Sequence, residues 1–158
     1  MGSSRFPGKV LKNIEEDKTV LDLVFERISL TKGEPFLLTS IDKKDDILEH
    51  WAKEKDIKFF RGSETNVLKR YIEAGKLFNS QNICRITADC PLIDPVLIDN
   101  IFSDFLQNNL DYASNTITQK FPDGLDVEIF KYEKLAKIYN EEKLESRHLE
   151  HVTPFFYE

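Results

Sequence analysis

Short apolar runs alternate with amphipathic stretches along most of this 158-residue chain, and turn residues mark each switch. We predict strands at residues 35–40, 57–60, 82–88, 112–115 and 125–130, and helices at residues 17–30, 45–55, 64–78 and 94–108. A β-α-β-α-β-α order packs helices against a mostly parallel sheet. The sequence therefore predicts one α/β domain spanning residues 1–158.

Composition excludes several classes of protein. The chain has 28 acidic and 22 basic residues and a net charge of −6, which argues against wrapping nucleic acid. No run reaches the roughly 18 apolar residues that span a membrane, so we expect no membrane partner and a cytoplasmic location. The two cysteines fit neither a zinc site nor a disulfide framework. A homodimer is compatible with the sequence, which does not determine the oligomeric state.

The segment of residues 2–9 is the densest candidate for phosphate binding. Glycines allow close backbone approach, and hydroxyls and cations suit a polyphosphate. Its candidate ligand-binding members are Gly2, Ser3, Ser4, Arg5, Gly8 and Lys9. It is not a Walker A loop, because five residues separate the glycines and Val10 follows the lysine. The alternative interpretation is a flexible N-terminal tail.

Asp89 directly follows the predicted strand at residues 82–88. Open α/β folds bind ligands at the carboxyl edge of the sheet, and a carboxylate oxygen there suits Mg²⁺ bound to phosphates. The alternative is that Asp89 only caps the turn before Pro91. We predict that Asp94 is the N-cap of the following helix.

Two further groups of polar residues stand out. Asp123, Asp126 and Glu128 are three carboxylates in a predicted turn that leads into a strand, although turns are often acidic for local reasons. His148 and His151 are three residues apart on a predicted helix. No third ligand accompanies them, so surface or packing roles are expected instead of a zinc site.

Five segments, taken in order, resemble the cytidylyltransferase family of spore coat polysaccharide biosynthesis protein SpsF. That family is similar to the acylneuraminate and 3-deoxy-manno-octulosonate cytidylyltransferases. The segments are GSSRFPGKVL (2–11), FRGSETNVLKRY (60–71), RITADCPLID (85–94), FPDGLDVEIF (121–130) and EHVTPFFY (150–157).

The resemblance implies a three-layer α/β/α nucleotide-diphospho-sugar transferase fold, Rossmann-like, with a mostly parallel sheet. It implies an enzyme of surface polysaccharide biosynthesis in which a sugar or sugar-acid hydroxyl attacks the α-phosphate of CTP and expels pyrophosphate. Such a transfer depends on charge neutralisation and in-line positioning.

The same resemblance assigns roles to individual residues. Arg5 and Lys9 would hold the triphosphate, and Asp89 would bind Mg²⁺. The residues implied near the nucleotide are Gly62, Ser63, Glu64, Asn66 and Arg70. The residues implied on the sugar side are Asp123, Asp126, His151 and Thr153.

The chain also departs from these relatives. They carry an apolar strand before Met-Gly-Ser-Ser-Arg and continue past Tyr157 to a second metal-binding Asp. We therefore expect a domain that lacks the first strand and the C-terminal part and is unstable or inactive alone. Leu149 stands where the family commonly has Arg.

Two alternative functions stay open. One is a glycosyltransferase of the same broad fold, which the absence of an Asp-x-Asp motif disfavours. The other is a non-catalytic remnant that binds a nucleotide or a partner subunit.

Overall fold

The computed structural model describes residues 8–15, 17–118, 120–141 and 143–158. The strands are β1 (Asn13–Glu15), β2 (Lys18–Thr19), β3 (Leu37–Ser40), β4 (Phe59–Gly62), β5 (Asn82–Arg85), β6 (Tyr112–Ser114) and β7 (Glu128–Lys131). The α-helices are α1 (Val20–Ile28), α2 (Asp46–Glu54), α3 (Val67–Leu77), α4 (Pro95–Gln107), α5 (Tyr132–Glu141) and α6 (Ser146–His151). Within these residues the predicted alternation of strands and helices is confirmed.

The strands form three small sheets. β1 and β2 pair antiparallel, β3 and β4 pair parallel from Leu37↔Phe59 to Ser40↔Gly62, and β7 lies between β5 and β6. The chain divides into two compact units. The first contains the described residues up to Pro35 together with Cys84–Ile129, and the second contains Phe36–Ile83 and Phe130–Glu158.

The predicted helix at residues 17–30 begins later, at Val20, because a short hairpin of β1 and β2 precedes it. A capping box fixes this start. The Thr19 hydroxyl accepts from the Asp22 N–H at 3.1 Å, and the Asp22 carboxylate accepts from the Thr19 N–H at 2.9 Å. Sequence periodicity did not reveal the hairpin, since its strands have only three and two residues.

The first unit is built on α4 and on residues 127–129, which include the start of β7. Ile93, Ile98, Phe105, Val127 and Ile129 form its buried cluster. The apolar spacing within residues 94–108 correctly predicted that this helix buries one face. Asp94 is its N-cap, as predicted, and accepts from the Val96 N–H at 2.9 Å.

The second unit packs α3 against α5 and α6. Phe130 is fully buried and makes ring contacts with Tyr71 and Phe156, at centroid distances of 6.1 and 5.8 Å. Trp51 on α2 is also buried, as expected of a core residue. These aromatic residues form part of the core of the second unit.

We expect Gly75→Ala to destabilise the protein by about 1–3 kcal/mol, because an added methyl overpacks the contact between α3 and the start of α5. A Cβ at Gly75 would lie 2.5 and 2.7 Å from two ring carbons of Tyr132 and 3.3 Å from the Ile83 methyl. The measurement is urea unfolding followed by circular dichroism.

The matched control is Gly33→Ala, because a Cβ at Gly33 would meet only the Thr31 hydroxyl oxygen, at 3.7 Å. That variant should match or slightly exceed the wild type in stability, since alanine restricts the unfolded chain. A Gly75→Ala protein as stable as Gly33→Ala would mean that Tyr132 moves aside without cost.

Candidate active site

In the first unit, Lys9 and Asp89 are brought together although they lie 80 residues apart in sequence. Gly8 has the left-handed φ of 70° and precedes a short 3₁₀ turn at Lys9–Leu11. The Lys9 ammonium contacts one carboxylate oxygen of Asp89. The predicted phosphate-binding residues Gly2, Ser3, Ser4 and Arg5 lie outside the described residues.

Asp89 lies in the turn that follows β5. Partial burial alone would raise the pKa of its carboxyl, but hydrogen bonds from Lys9 and Thr87 outweigh burial and lower the pKa below its ordinary value. Asp89 is therefore an ionised carboxylate at neutral pH. β5 ends at Arg85, three residues earlier than predicted, so Asp89 lies four residues beyond the carboxyl end of the strand, on the side where open α/β sheets bind ligands.

Two more carboxylates approach this region of the first unit. Asp123 and Gly124 form a turn in which the Leu125 N–H donates to the Pro122 carbonyl at 3.3 Å, and Gly124 has a φ of 89°. Burial raises the pKa of Asp126, and repulsion from Asp123 and other carboxylates, including Asp89, raises it further. The charges of Asp123 and Asp89 therefore both act on Asp126 in the first unit.

Glu128 differs from the sequence interpretation, which grouped it with the carboxylates of the turn. It begins β7 and is buried. Its two carboxylate oxygens accept from the Arg85 guanidinium of β5 and, at 2.9 Å, from the Tyr112 hydroxyl of β6. Glu128 therefore ties the three strands of the sheet together.

In the second unit, the turn after β4 is held by side chains of the predicted nucleotide-binding segment. Asn66 caps α3 by accepting from the Lys69 N–H at 2.8 Å. The Arg70 guanidinium donates twice to the Ser63 carbonyl, at 3.1 and 2.6 Å. Gly62 must stay small, since a Cβ there would lie 2.9 Å from Arg70 Cγ. These residues lie close together around the turn after β4.

An open groove of about 1240 Å³ lies beside this turn, at the carboxyl ends of β3 and β4. Phe60 and Ile41 give it apolar surface, and Asp42, Arg61 and Glu64 line it with charge. Glu64 is ion-paired with Lys44, a residue that sequence reasoning did not select. The general rule that ligands bind at carboxyl ends of parallel strands would have drawn attention to residues 41–46.

The loop behind Lys44 is anchored from within the unit. Asp45 is buried and accepts from the Thr39 hydroxyl and from the N–H and hydroxyl of Ser40. Burial opposes its ionisation, but the pKa of Asp45 is lowered overall, and the Ser40 hydroxyl makes the largest contribution to that lowering. Arg61 donates to the carbonyls of Ser40 and Asp42 at 2.9 Å each.

His151 and Thr153 flank an unusual turn at the end of α6. Val152 has a φ of 74° and a ψ of −52°, and the Thr153 N–H donates to the His151 carbonyl at 2.9 Å, which defines a γ-turn. His151 is exposed, whereas Thr153 is buried, with 2% of its surface accessible. His151 is thus the member of this pair that faces solvent.

His148 has a packing role, as expected. It is buried, its Nδ1 accepts from the Glu145 N–H at 2.9 Å, and its Nε2 lies 3.0 Å from a Glu158 carboxylate oxygen. Among the described residues, no group of three or more His, Cys, Asp or Glu side chains is placed to hold a metal ion. No helix in the described part of the chain is long and apolar enough to cross a membrane.

A left-handed glycine before Lys9, a carboxylate after β5 and parallel strands are features of nucleotide-binding α/β proteins. Residues 1–158 match the sequence profile of the family described as cytidylyltransferase, and the chain belongs to that family.

A solved structure confirms the fold. A cytidylyltransferase from Leptospira borgpetersenii serovar Hardjo-bovis (strain JB197) is similar with a TM-score of 0.91 and 35% identity, over 98% of this chain and 66% of that chain. The fold of the chain is therefore the Rossmann-like α/β fold of cytidylyltransferases.

Two curated relatives carry functional names. Spore coat polysaccharide biosynthesis protein SpsF of Bacillus subtilis (strain 168) is 31% identical over 97% of this chain and 65% of its own length. The 8-amino-3,8-dideoxy-manno-octulosonate cytidylyltransferase of Shewanella piezotolerans is 30% identical over 85% of this chain and 56% of its own length. The chain thus spans less than two thirds of either relative.

Proposed function

We propose that this chain provides the nucleotide-binding site of an enzyme that transfers CMP from CTP to a sugar or sugar acid, with release of pyrophosphate, for surface polysaccharide synthesis. The observation that carries the proposal is the contact between Lys9 and Asp89. It places a cation and an ionised carboxylate together at the carboxyl end of β5. The names of the SpsF and octulosonate relatives support the choice of CTP and of a sugar substrate.

Lys9 would bind the triphosphate of CTP. Its ammonium contacts Asp89, and both side chains are more than a third exposed. Phosphate oxygens can therefore replace Asp89 as the partner of Lys9 without unfolding any element. Arg5 and the amides of residues 2–9 are proposed to add donors, since charge-assisted hydrogen bonds to phosphate are strong.

The donor set around Asp89 fits Mg²⁺. Magnesium binds nucleotide sites through one or two carboxylates together with substrate phosphates and water, so a single ionised Asp is sufficient. When bound, the ion would neutralise charge on the phosphates. The contribution of the chain itself is to favour the ionised form of Asp89 through the hydrogen bond from Thr87 and to place it in the turn that follows β5.

The sugar side is proposed to include Asp123, Asp126, His151 and Thr153. Carboxylate oxygens accept hydrogen bonds from sugar hydroxyls, which suits the two aspartates of the first unit. In the second unit His151 is exposed, and Thr153 contributes through the γ-turn that carries His151. Gly62, Ser63, Glu64, Asn66 and Arg70 are proposed to line the nucleotide site from the turn after β4.

The test is a thermal-shift series with CTP, UTP, ATP and GTP, each with Mg²⁺, followed by an assay of pyrophosphate release with sugar acids. A ligand present at 100 times its dissociation constant stabilises the folded state by about 2.7 kcal/mol. We expect the largest shift with CTP. Equal shifts for all four nucleotides would leave a polyphosphate site without base selectivity, and no shift would contradict nucleotide binding.

Location in the cytoplasm, pairing of two copies and the absence of nucleic-acid and membrane partners stay predictions from sequence. The same holds for the Mg²⁺ requirement.

A further inference from the structure

We propose that Asn115 is a positioning residue that holds Asp126 in place for the sugar substrate. This inference rests on the proposed function, because it assumes that Asp126 faces the sugar. Asn115 directly follows β6 and belongs to neither the phosphate-binding nor the nucleotide-binding segments.

The side chain of Asn115 clasps the backbone on both sides of Asp126. Its Nδ2 donates to the Leu125 carbonyl at 2.8 Å, and its Oδ1 accepts from the Val127 N–H at 2.9 Å. The Asn115 N–H also donates to the Val127 carbonyl, at 3.4 Å. One amide group therefore fixes the two peptide groups that flank the Asp126 side chain.

This clasp also explains why β7 begins at Glu128 and not at the predicted residue 125. The Val127 N–H is bonded to a side chain, so the regular ladder starts one residue later. Downstream of Asp126 the backbone is secured by buried Val127 and by the Glu128 network. Upstream, the turn at Gly124 is closed by the 3.3 Å bond from the Leu125 N–H to the Pro122 carbonyl. Asn115 joins the secured strand to this weaker turn.

Asp126 needs a fixed backbone because neighbouring carboxylates repel its charge. Burial and the carboxylates of Asp123, Glu128 and Asp89 disfavour its charge, and Arg85 offsets only part of this effect. A carboxylate in this position would move away from the other acids if its backbone were free. A fixed Asp126 is ready to accept hydrogen bonds from a sugar hydroxyl without first paying the entropy of being ordered.

The test compares Asn115→Ala, Asn115→Asp and the control Asn108→Ala in the pyrophosphate-release assay. Asn115→Ala removes both bonds and should raise KM for the sugar acid about tenfold, with KM for CTP changed less than about twofold. Asn115→Asp keeps an acceptor for the Val127 N–H and should give an intermediate KM. Asn108 in the same unit also donates its side-chain amide to a carbonyl, that of Asp104 at 2.9 Å, but lies at the end of α4. Its variant should keep both KM values.

A second readout does not depend on turnover. Carbon-13 NMR titration of the Asp126 carboxyl should show a raised pKa in the wild type and a pKa closer to the ordinary value in Asn115→Ala. Hydrogen exchange at the Val127 amide should be faster in Asn115→Ala than in the wild type. In Asn115→Asp, which keeps an acceptor for this amide, exchange should be slower than in Asn115→Ala. If Asn115→Ala does not fold, the KM values, the Asp126 titration and the Val127 hydrogen exchange of Asn115→Asp are compared with those of the wild type.

The outcomes separate this inference from the proposed function. If no sugar acid supports turnover, even with a chain extended by the strand and the C-terminal part that the relatives carry, the proposed function fails, and the Asp126 titration alone decides whether Asn115 positions that carboxylate. If turnover occurs and Asn115→Ala leaves both the ratio of KM values and the Asp126 titration unchanged, the inference is wrong. An equal rise of both KM values with an unchanged titration would likewise reduce Asn115 to a structural residue.

Discussion

Replacing Asp89 by asparagine is expected to lower pyrophosphate release from CTP by about 10²–10³-fold, the range for loss of one electrostatic group that stabilises developing charge. The amide keeps the shape of the side chain but removes the charge that would bind Mg²⁺. The thermal shift given by CTP with Mg²⁺ should fall toward the smaller shift given by CTP alone. Stability without ligand should change little, since the Lys9–Asp89 pair is partly exposed to solvent.

Asp94→Asn is the matched control, five residues further along the chain. Asp94 caps α4, and asparagine caps helices about as well as aspartate, so this variant loses the same charge without losing its structural role. It should keep both turnover and the CTP shift. A large loss of unfolding free energy in Asp89→Asn, with the CTP shift intact, would instead show that Asp89 is a structural cap of its turn.

The local features of this fold could be predicted from sequence because neighbouring residues produce them. The Asp94-Pro95 start of α4 and its buried face follow from capping preference and apolar spacing. The Pro122–Leu125 turn follows from a glycine that tolerates positive φ.

The features that sequence analysis missed depend on contacts between distant segments. Nothing in the spacing of residues 121–128 indicates that Glu128 turns inward to Arg85 and Tyr112 while Asp126 does not. Asn115 gave no signal either, since its partners lie 10 and 12 residues away in the chain. Only the family resemblance predicted that Lys9 and Asp89 lie close together, because it assigned both residues to one site.

In the second unit, too, local features could be predicted from sequence and features that depend on further contacts could not. Asn66 as the cap of α3 is a local effect, and its position before an apolar run indicates it. Arg70 was expected near the nucleotide, and the structure shows that two of its nitrogens are already committed to backbone carbonyls of the turn after β4. It therefore shapes this turn whether or not it also contacts a ligand.

Replacing Glu128 by alanine is expected to have the largest effect on stability, a loss of about 2–3 kcal/mol in unfolding free energy. Breaking a fully buried ion pair costs about 3–5 kcal/mol, and the partial exposure of Arg85 reduces that figure. The Tyr112 hydroxyl loses its acceptor in the same variant. Chemical unfolding monitored by circular dichroism gives the comparison.

Two further variants identify the cause of that loss. Glu128→Gln keeps an acceptor for Tyr112 and fills the same space, so it should cost less than Glu128→Ala. Glu26→Ala removes the carboxylate of an exposed pair with Lys18, at 2.9 Å, and should cost at most about 1 kcal/mol. If Glu128→Ala lost no more unfolding free energy than Glu26→Ala, the backbone hydrogen bonds between the three strands would be enough to hold them together. Glu128 is joined through Arg85 to the segment that carries Asp89, four residues further along the chain, and it follows Asp126 by two residues. A protein weakened at Glu128 should then also bind CTP less tightly at temperatures where it is still folded.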